Sequence, residues 1–395
     1  MILENTRVCP ICESSKKKII KHINISVPID FILPVDYNIV VCDDCGFVFN
    51  DVPFSKCFDD YYANYKGNTN FNIPTEDNYI LNQEKRISKH VKSANFIERN
   101  TELEKDASIL DIGCSYGGTL SILKHKGFSN LYAIDLDVES INYLKNTGIN
   151  SQVGSIFSDN IPEFENKFDL IILGHILEHL HEPKKAISNI SKWLKPNGKI
   201  FIECPDLYQY PQTIPFPGFF AEWEHVNHFS IISIMNLMNN FRLKSYDTGR
   251  IYVLIENFPC LYAIFEKSNE IREYCKTKND ENCMLKSLTI PNEIGSKTLL
   301  KIANLENKEI AIWGAGQYLY RLLSHTQLKG SNIKYIVDKD EKKQKDTLLN
   351  IQVSSPEVLK DFKGTIVICS TTAKDYILTD IQTMGLTNPV VIPFI

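Results

Sequence analysis

The sequence predicts an α/β protein of several domains, on three observations. Between residues 104 and 255 short apolar runs alternate with helical stretches, the pattern of an open sheet flanked by helices. The first run leads into a glycine-rich turn and the second ends in an acid, Asp135. Two Cys-x-x-Cys pairs precede this block, and a further set of strand and helix signals follows it.

In chain order, residues 1–66 form a cysteine-bearing module that closes on the aromatic cluster Tyr61-Tyr62-Ala-Asn-Tyr65. Residues 67–256 form the central α/β domain, introduced by a helix over 75–100. Thr75 is placed to cap that helix, and Ile80, Ile87, Val91 and Ala94 share one face. Strands are expected at Ser108–Ile112, Asn130–Asp135, Phe168–Gly174 and Lys199–Glu203. An antiparallel pair, Phe241–Asp247 and Arg250–Glu256, is expected to turn through Thr248-Gly249. Residues 257–303 read as a polar helical connector. Residues 304–395 form a second, Rossmann-like α/β unit: strand Glu309–Trp313, helix Tyr318–Ser324, and strands Ile333–Val337 and Thr365–Cys369.

The 395 residues carry a formal net charge of −5, so neither nucleic acid nor a membrane surface is an expected partner. At roughly 100–200 residues per domain, the length supplies two or three cores. No stretch approaches the ~18–20 unbroken apolar residues of a membrane span, and Met1-Ile-Leu-Glu-Asn opens no signal peptide. The expectation is a cytoplasmic protein, a monomer or weak homodimer. Its eleven cysteines then serve as metal ligands or buried thiols rather than disulfides.

Cys9-x-x-Cys12 and Cys42-x-x-Cys45 deliver two pairs of thiolates, as a tetrahedral zinc ion with ligands at about 2.3 Å requires. Pro10 and Gly46 suit the tight turns. Four thiolates leave no open position, so the Zn2+ expected here is structural. Asp43, Asp44 and Asp51 disfavour a nucleic-acid role for this module. Cys57, Cys114, Cys204 and Cys369 read as core or pocket-wall thiols.

Asp111 ends the first strand of the central domain, and Gly113-Cys114-Ser115-Tyr116-Gly117-Gly118 turns into the helix Thr119–His125. Glycine lets the backbone approach a ligand closely, and ligands of open α/β sheets bind outside the carboxyl ends of the strands. Asp135 ends the next strand, 22 residues after Gly113, where a carboxylate can accept both ribose hydroxyls. A dinucleotide turn reads Gly-x-Gly-x-x-Gly, whereas this one reads Gly113-x-x-x-Gly117-Gly118. That spacing resembles motif I of class I S-adenosylmethionine-dependent methyltransferases. Gly154-Ser155-Ile156 resembles their adenine-lining segment, Phe168–His175 their fourth strand, and Leu194-Lys-Pro196-Asn-Gly198 the turn into the fifth. The pair at 241–256 resembles their final reversed strand. The resemblance implies S-adenosylmethionine as cofactor, held by Asp111, Gly113, Cys114, Ser115, Gly117, Asp135, Leu136, Ser155, Ile156, Gly174 and His175.

Five of the nine histidines fall between 175 and 228. His175, Glu178, His179, His181 and Glu182 follow the fourth strand; Glu222, Glu224, His225 and His228 follow a stretch broken by Pro205, Pro211, Pro215 and Pro217. The prolines predict a loop over the carboxyl edge of the sheet, a lid, with Ser230 capping the next helix. His175 and His179 read equally well as packing groups. Adjacent Glu224 and His225 on a loop favour proton transfer.

The order of zinc module, methyltransferase core and C-terminal α/β unit is similar to that of the sugar-nucleotide C-methyltransferases of branched deoxysugar biosynthesis. This resemblance implies a nucleotide-linked 4-keto-6-deoxyhexose as substrate, methylated on a carbon next to the ketone. It implies catalytic roles for Glu224, His225, His179 and Tyr65. Two features depart from the pattern: Glu222 stands where the family has a Tyr, and the family's Pro-Leu-Ala-Asn segment is not evident. The methylated atom stays open between carbon, oxygen and nitrogen. A sugar carbon becomes nucleophilic only after loss of a proton beside the carbonyl, which needs a base and a donor to the developing oxyanion. His225, oriented by Glu224, is the candidate base, and Tyr65 and His179 are the candidate donors.

In the last unit Gly314-Ala-Gly316 resembles a dinucleotide turn, but Leu319 occupies the third glycine's place; Asp338 lies 22 residues after Gly316. Two readings stand: a domain that places Gly314, Gly316 and Gln317 near the phosphates of a sugar nucleotide, or a scaffold without ligand. Rival functions are an O- or N-methyltransferase of a sugar or surface-glycan precursor, an NAD(P)-dependent oxidoreductase and a nucleic-acid-binding zinc protein. The missing glycine opposes the oxidoreductase, and the acidic balance opposes nucleic acid.

Overall fold

The computed structural model describes residues 7–28, 31–52, 57–62, 90–158, 161–253, 258–270, 275–371 and 373–394. The first strands are β1 (Lys17–Asn24), β2 (Asp36–Cys42) and β3 (Val48–Asp51). The central block supplies β4 (Ser108–Ile112), β5 (Asn130–Asp135), β6 (Asn150–Val153), β7 (Phe168–Gly174) and β8 (Leu194–Pro205). Then come β9 (Asn227–His228), β10 (Leu243–Val253) and β11 (Phe258–Lys267). The C-terminal strands are β12 (Glu309–Trp313), β13 (Asn332–Val337), β14 (Thr347–Leu348), β15 (Ile351–Ser354), β16 (Thr365–Ile368) and β17 (Val390–Val391).

β4 is buried along its whole length because both of its faces are covered, so it reads as a continuous apolar run. Alternate residues of β7 enter different cores: Ile171 and Leu173 join one, Leu170 and Ile172 the other. The seven-stranded sheet has the order β10-β11-β8-β7-β4-β5-β6. β4 is parallel to β5 and β7, β5 to β6, and β7 to β8, while β11 runs antiparallel to β8. The chain moves outward from β4 first to one side and then to the other, which leaves a ligand crevice outside its carboxyl end. Asp137 caps the helix Val138–Asn146 by accepting from the N–H groups of Glu139 and Ser140. Pro183 opens the helix Pro183–Trp193, which buries Ala186, Ile187, Ile190 and Trp193 on one face.

The expected turn at Thr248-Gly249 does not form. β10 continues through it and pairs with β11 from Leu243 opposite Lys267 to Val253 opposite Phe258. Gly249 is accommodated inside the strand because Tyr262 lies across it, its hydroxyl 2.7 Å from where a Cβ would stand. Residues 258–267 are therefore the reversed strand of the sheet and not the start of a helical connector. The connector's helices are Asp280–Thr289 and Glu293–Ala303. Thr75, Ile80 and Ile87 of the expected helix over 75–100 lie outside the described residues; residues 90–100 are helical.

The cysteine-bearing segment contributes to a four-stranded sheet of order β1-β2-β3-β9, with Val48 opposite His228 and Phe49 opposite Asn227. The last sheet has the order β14-β15-β13-β12-β16-β17, antiparallel only at β14–β15. The chain forms two compact units, and they are interleaved in sequence. The first comprises Met1–Ile19, Val40–Gln209 and Glu224–Glu281; the second comprises Ile20–Ile39, Tyr210–Trp223 and Asn282–Ile395. Among the described residues no helix is long and apolar enough to cross a membrane.

Ser230 caps the helix Ile231–Asn239 through a capping box with Ser233, and its Oγ also donates to Asp280 at 3.0 Å. Ser230→Ala is expected to cost about 1 kcal/mol, read as a lower urea midpoint.

Candidate active site

A cavity of about 380 Å³ opens at the carboxyl ends of β4, β5 and β7, within the ~300–1,000 Å³ of small-molecule sites. Its wall after β4 depends on close approach. Gly113 has φ +66°, and a Cβ there would stand 2.2 Å from Ile176 Cδ1. The N–H of Ser115 donates to Asp135 Oδ2 at 2.7 Å, which ties the tips of β4 and β5 together. The N–H of Asp137 donates to the other carboxylate oxygen at 2.9 Å. Burial raises the Asp135 carboxyl above its ordinary value, and these backbone hydrogen bonds oppose the rise. Of the residues expected to hold the cofactor, Gly113, Ser115, Asp135, Leu136, Ser155, Ile156 and His175 line the cavity. Asp111, Cys114, Gly117 and Gly174 do not: Asp111 and Cys114 are buried, Gly117 caps the helix Gly118–His125, and Gly174 ends β7. The acid at the strand tip and the apolar wall of Leu136 and Ile156 suit a ribose and a purine, so this site fits an adenosyl group.

Beside this cavity lies a cluster of histidines and buried carboxylates. At the end of β7, His175 takes φ +58°, a backbone region that costs a non-glycine residue about 1–3 kcal/mol. Its ring is held on both sides: Nδ1 is 3.2 Å from Glu178 Oε1 and Nε2 is 3.0 Å from Glu203 Oε1. Ser93 Oγ donates to the second oxygen of Glu203 at 2.7 Å. Glu178 is 1% exposed, and its burial acts to raise its carboxyl. The hydrogen bond from His175 and the charges of His179, His175 and His225 outweigh that effect and hold it at about 2.

His179 ends the short turn Leu177–His179 and faces the cavity. Its Nδ1 lies 2.9 Å from the Tyr62 hydroxyl and 3.0 Å from the Glu224 carbonyl oxygen. The His179 and His225 rings sit 4.8 Å apart, centre to centre. Glu224 is buried and accepts a 2.5 Å hydrogen bond from the Tyr61 hydroxyl. Donor atoms of Glu178, His179 and His225 all lie within 4.8 Å of one another, a span that one bridging water would close for proton transfer. Of the expected acid–base residues, His179 lines the cavity, Glu224 and His225 do not, and Tyr65 lies outside the described residues. The carboxylate beside His225 is Glu178, one residue before His179, which the sequence reading places after the fourth strand without giving it a role. Tyr62 of the aromatic cluster also lines the cavity, as do Phe58, Ile176 and Lys185, which the sequence did not single out. The stretch expected as a lid is largely buried: Glu222, Trp223, Glu224 and Val226 are each at most 4% exposed.

The four paired cysteines come together. Cys9 and Cys45 sulfurs are 3.5 Å apart, as are those of Cys12 and Cys42. Ligands at 2.3 Å in a tetrahedron stand about 3.8 Å apart, so the cluster could hold a zinc ion. Both knuckles fold alike, the N–H of Glu13 donating to the Cys9 carbonyl and that of Gly46 to the Cys42 carbonyl. Interaction with Cys42 pushes the Cys9 thiol up to about 12, while Cys42 is driven down by its neighbours Cys45 and Cys9.

In the second unit the N–H of Ala315 donates to Asp338 Oδ2 at 2.9 Å, and Lys343 Nζ approaches the same oxygen at 3.2 Å. Leu319 is fully buried in the helix Gln317–His325. Glu222, found where the resemblance implied a Tyr, is buried and paired with Arg321, whose guanidinium lies 4.6 Å from the Phe219 ring centre.

Asp135→Ala is expected to weaken binding of S-adenosylhomocysteine at least about tenfold by calorimetry, as loss of a charged hydrogen-bonding partner should. The Glu178 carboxyl titrates below its ordinary 4.5, so its pairing stabilises the fold above that pH and the contribution is lost as pH falls from 4.5 towards about 2. Urea titrations across that window should show a loss of stability that Glu178→Gln lacks.

A family model described as a methyltransferase domain matches residues 84–245, and one described as C2185-like, N-terminal, matches residues 306–392. The ubiquinone biosynthesis O-methyltransferase of Coxiella burnetii is 29% identical over 110 residues, which cover 27% of this chain and 46% of that protein. Phosphoethanolamine N-methyltransferase 1 of Arabidopsis thaliana is 25% identical over 154 residues, 36% of this chain and 30% of that one. The chain spans less than half the length of these curated relatives. The solved structure of geranyl diphosphate C-methyltransferase from Streptomyces coelicolor A3(2) aligns over 53% of this chain and 98% of its own, at 10% identity and a TM-score of 0.41. The matched family model, over the sheet and cavity described above, makes residues 84–245 a S-adenosylmethionine-dependent methyltransferase domain.

Proposed function

We propose that the protein methylates a nucleotide-activated 4-keto-6-deoxy sugar on a carbon next to the ketone. The observation that carries this reading is the cluster of Glu178, His179 and His225 at the donor cavity, with Tyr62 against His179. Methylation of a hydroxyl needs one base; formation of an enolate needs a base and an oxyanion donor together. S-adenosylmethionine, when bound, supplies an electrophilic methyl group. His225 removes the proton beside the ketone, and the imidazolium it becomes is balanced by the Glu178 carboxylate. His179 and Tyr62 donate towards the developing oxyanion, and Tyr65 remains a further candidate for that role. Glu224, held by Tyr61, fixes the backbone next to His225. A zinc ion on Cys9, Cys12, Cys42 and Cys45 plays a structural part, holding the two knuckles of the N-terminal module together.

The second reading is transfer to oxygen or nitrogen of a glycan precursor, which the names of the Coxiella and Arabidopsis relatives favour. Mass spectrometry detects methylated product from S-adenosylmethionine and a panel of nucleotide 4-keto-6-deoxy sugars, and NMR reads whether the new methyl sits on carbon or on a heteroatom. Together they separate the two readings, since a methyl ether or methylamine replaces the branched sugar under the second. In heavy water without methyl donor, deuterium is expected to enter next to the ketone. His225→Ala should slow that exchange by about 100-fold or more; undiminished exchange would show that another group is the base.

A further inference from the structure

Arg7 stands two residues before Cys9 and is buried, although it takes no part in the chemistry above. Its guanidinium donates to the carbonyls of Val226 at 3.0 Å, His181 at 2.5 Å, Leu180 at 3.3 Å and Asn50 at 3.4 Å, and to Asn227 Oδ1 at 2.9 Å. Its flat face lies over Phe49, 5.5 Å from the ring centre. A buried cation is tolerated when its donors find acceptors, and here those acceptors are mostly main-chain oxygens. Apart from that of Asn50, they belong to two segments far apart in sequence: one carries His179, the other Glu224 and His225.

Two asparagines join the same span. Asn227 Nδ2 donates to the carbonyls of Leu177 at 2.8 Å and Leu180 at 2.7 Å, and Asn50 Nδ2 donates to that of His225 at 3.1 Å. Among the described residues β9 pairs with β3 at two positions, and the N–H of Asn50 donates to the Val226 carbonyl at 2.9 Å. Besides the His179 contact with the Glu224 carbonyl, the two histidine-bearing segments are thus joined by this buried polar junction, with Arg7 at its centre.

We infer that Arg7 is a positioning residue for methyl transfer, fixing His179 against His225; this rests on the proposed roles of those histidines. Lysine cannot replace it, because the planar guanidinium spreads five donors where an ammonium groups three on one atom. Displacing a catalytic group by about 1 Å can cost about 100-fold in rate.

The test compares the full-length wild type with Arg7→Lys and Arg7→Met. Turnover, acceptor KM, affinity for S-adenosylhomocysteine, metal content and amide hydrogen exchange are read for each. The expected result is a fall in kcat of about 10- to 100-fold with donor affinity, acceptor KM and metal content essentially unchanged. Faster exchange should be confined to residues 177–181 and 224–228. Wild-type kcat in both variants would overturn the inference. So would donor affinity falling in step with kcat, or exchange rising throughout the unit, since either marks a general role in stability. If Arg7→Met does not fold, Arg7→Lys alone decides. The exchange measurement needs no acceptor, so a wild type that fails to methylate the ketosugars would sink the proposed reaction without masking the result for Arg7.

Discussion

One buried negative charge organises the chemistry of the first unit. A carboxylate removed from water is strongly disfavoured unless cations or hydrogen-bond donors surround it, and Glu178 meets that demand with three imidazoles. His175 contacts it from the end of β7, while His179 and His225 add charge from two further segments. The left-handed backbone at His175 is part of the same arrangement, because it turns the ring between Glu178 and Glu203. Acid, bases and donor cavity thus share one balance of charge. A change in the protonation of any histidine is felt by the others.

The two parallel sheets use the same device at their first turn and surround it differently. In each, a main-chain N–H just beyond a glycine donates to the acid at the tip of the neighbouring strand: Ser115 to Asp135, and Ala315 to Asp338. In the first sheet the acid borders an open cavity and is approached by N–H groups only in part, which suits it to ligand hydroxyls. In the second, Lys343 approaches the acid as well, and Leu319 fills the helix face where a dinucleotide turn would keep a glycine. Shared geometry at the backbone level carries different capacities once the side chains are placed.

Much of the first sheet is legible in the sequence, because β4, β5 and β7 are apolar runs that end at glycine or aspartate. The cysteine pairs are legible for a similar reason: their spacing is local, and the distance between pairs is closed by the neighbouring strands β1 and β2. β11 is not. Cys260, Leu261, Ala263, Ile264 and Phe265 are buried with Tyr262 half-buried between them, a near-continuous apolar pattern that periodicity cannot tell from a buried helix, and Thr248-Gly249 offers a false turn nearby. The role of Glu178 is hidden as well, since nothing local marks a carboxylate as buried. Its burial follows from His225, 47 residues later, and from Arg7 and Asn227 drawing those segments together. Tyr61 and Tyr62 were weighed with Tyr65 as one cluster; the contacts of Tyr61 with Glu224 and Tyr62 with His179 distinguish them only in three dimensions.

The interleaving of the two units bears on how the molecule is made. On a ribosome, the last piece of the first unit emerges by residue 281, whereas Ile20–Ile39 and Tyr210–Trp223 must wait for Asn282–Ile395 before their own unit can close. Those early pieces stay without their partners while the first unit completes itself. A polypeptide that stops near residue 281 would therefore carry stranded apolar segments such as Ile214, Phe216 and Trp223 in search of cover, and clumping would be its expected fate.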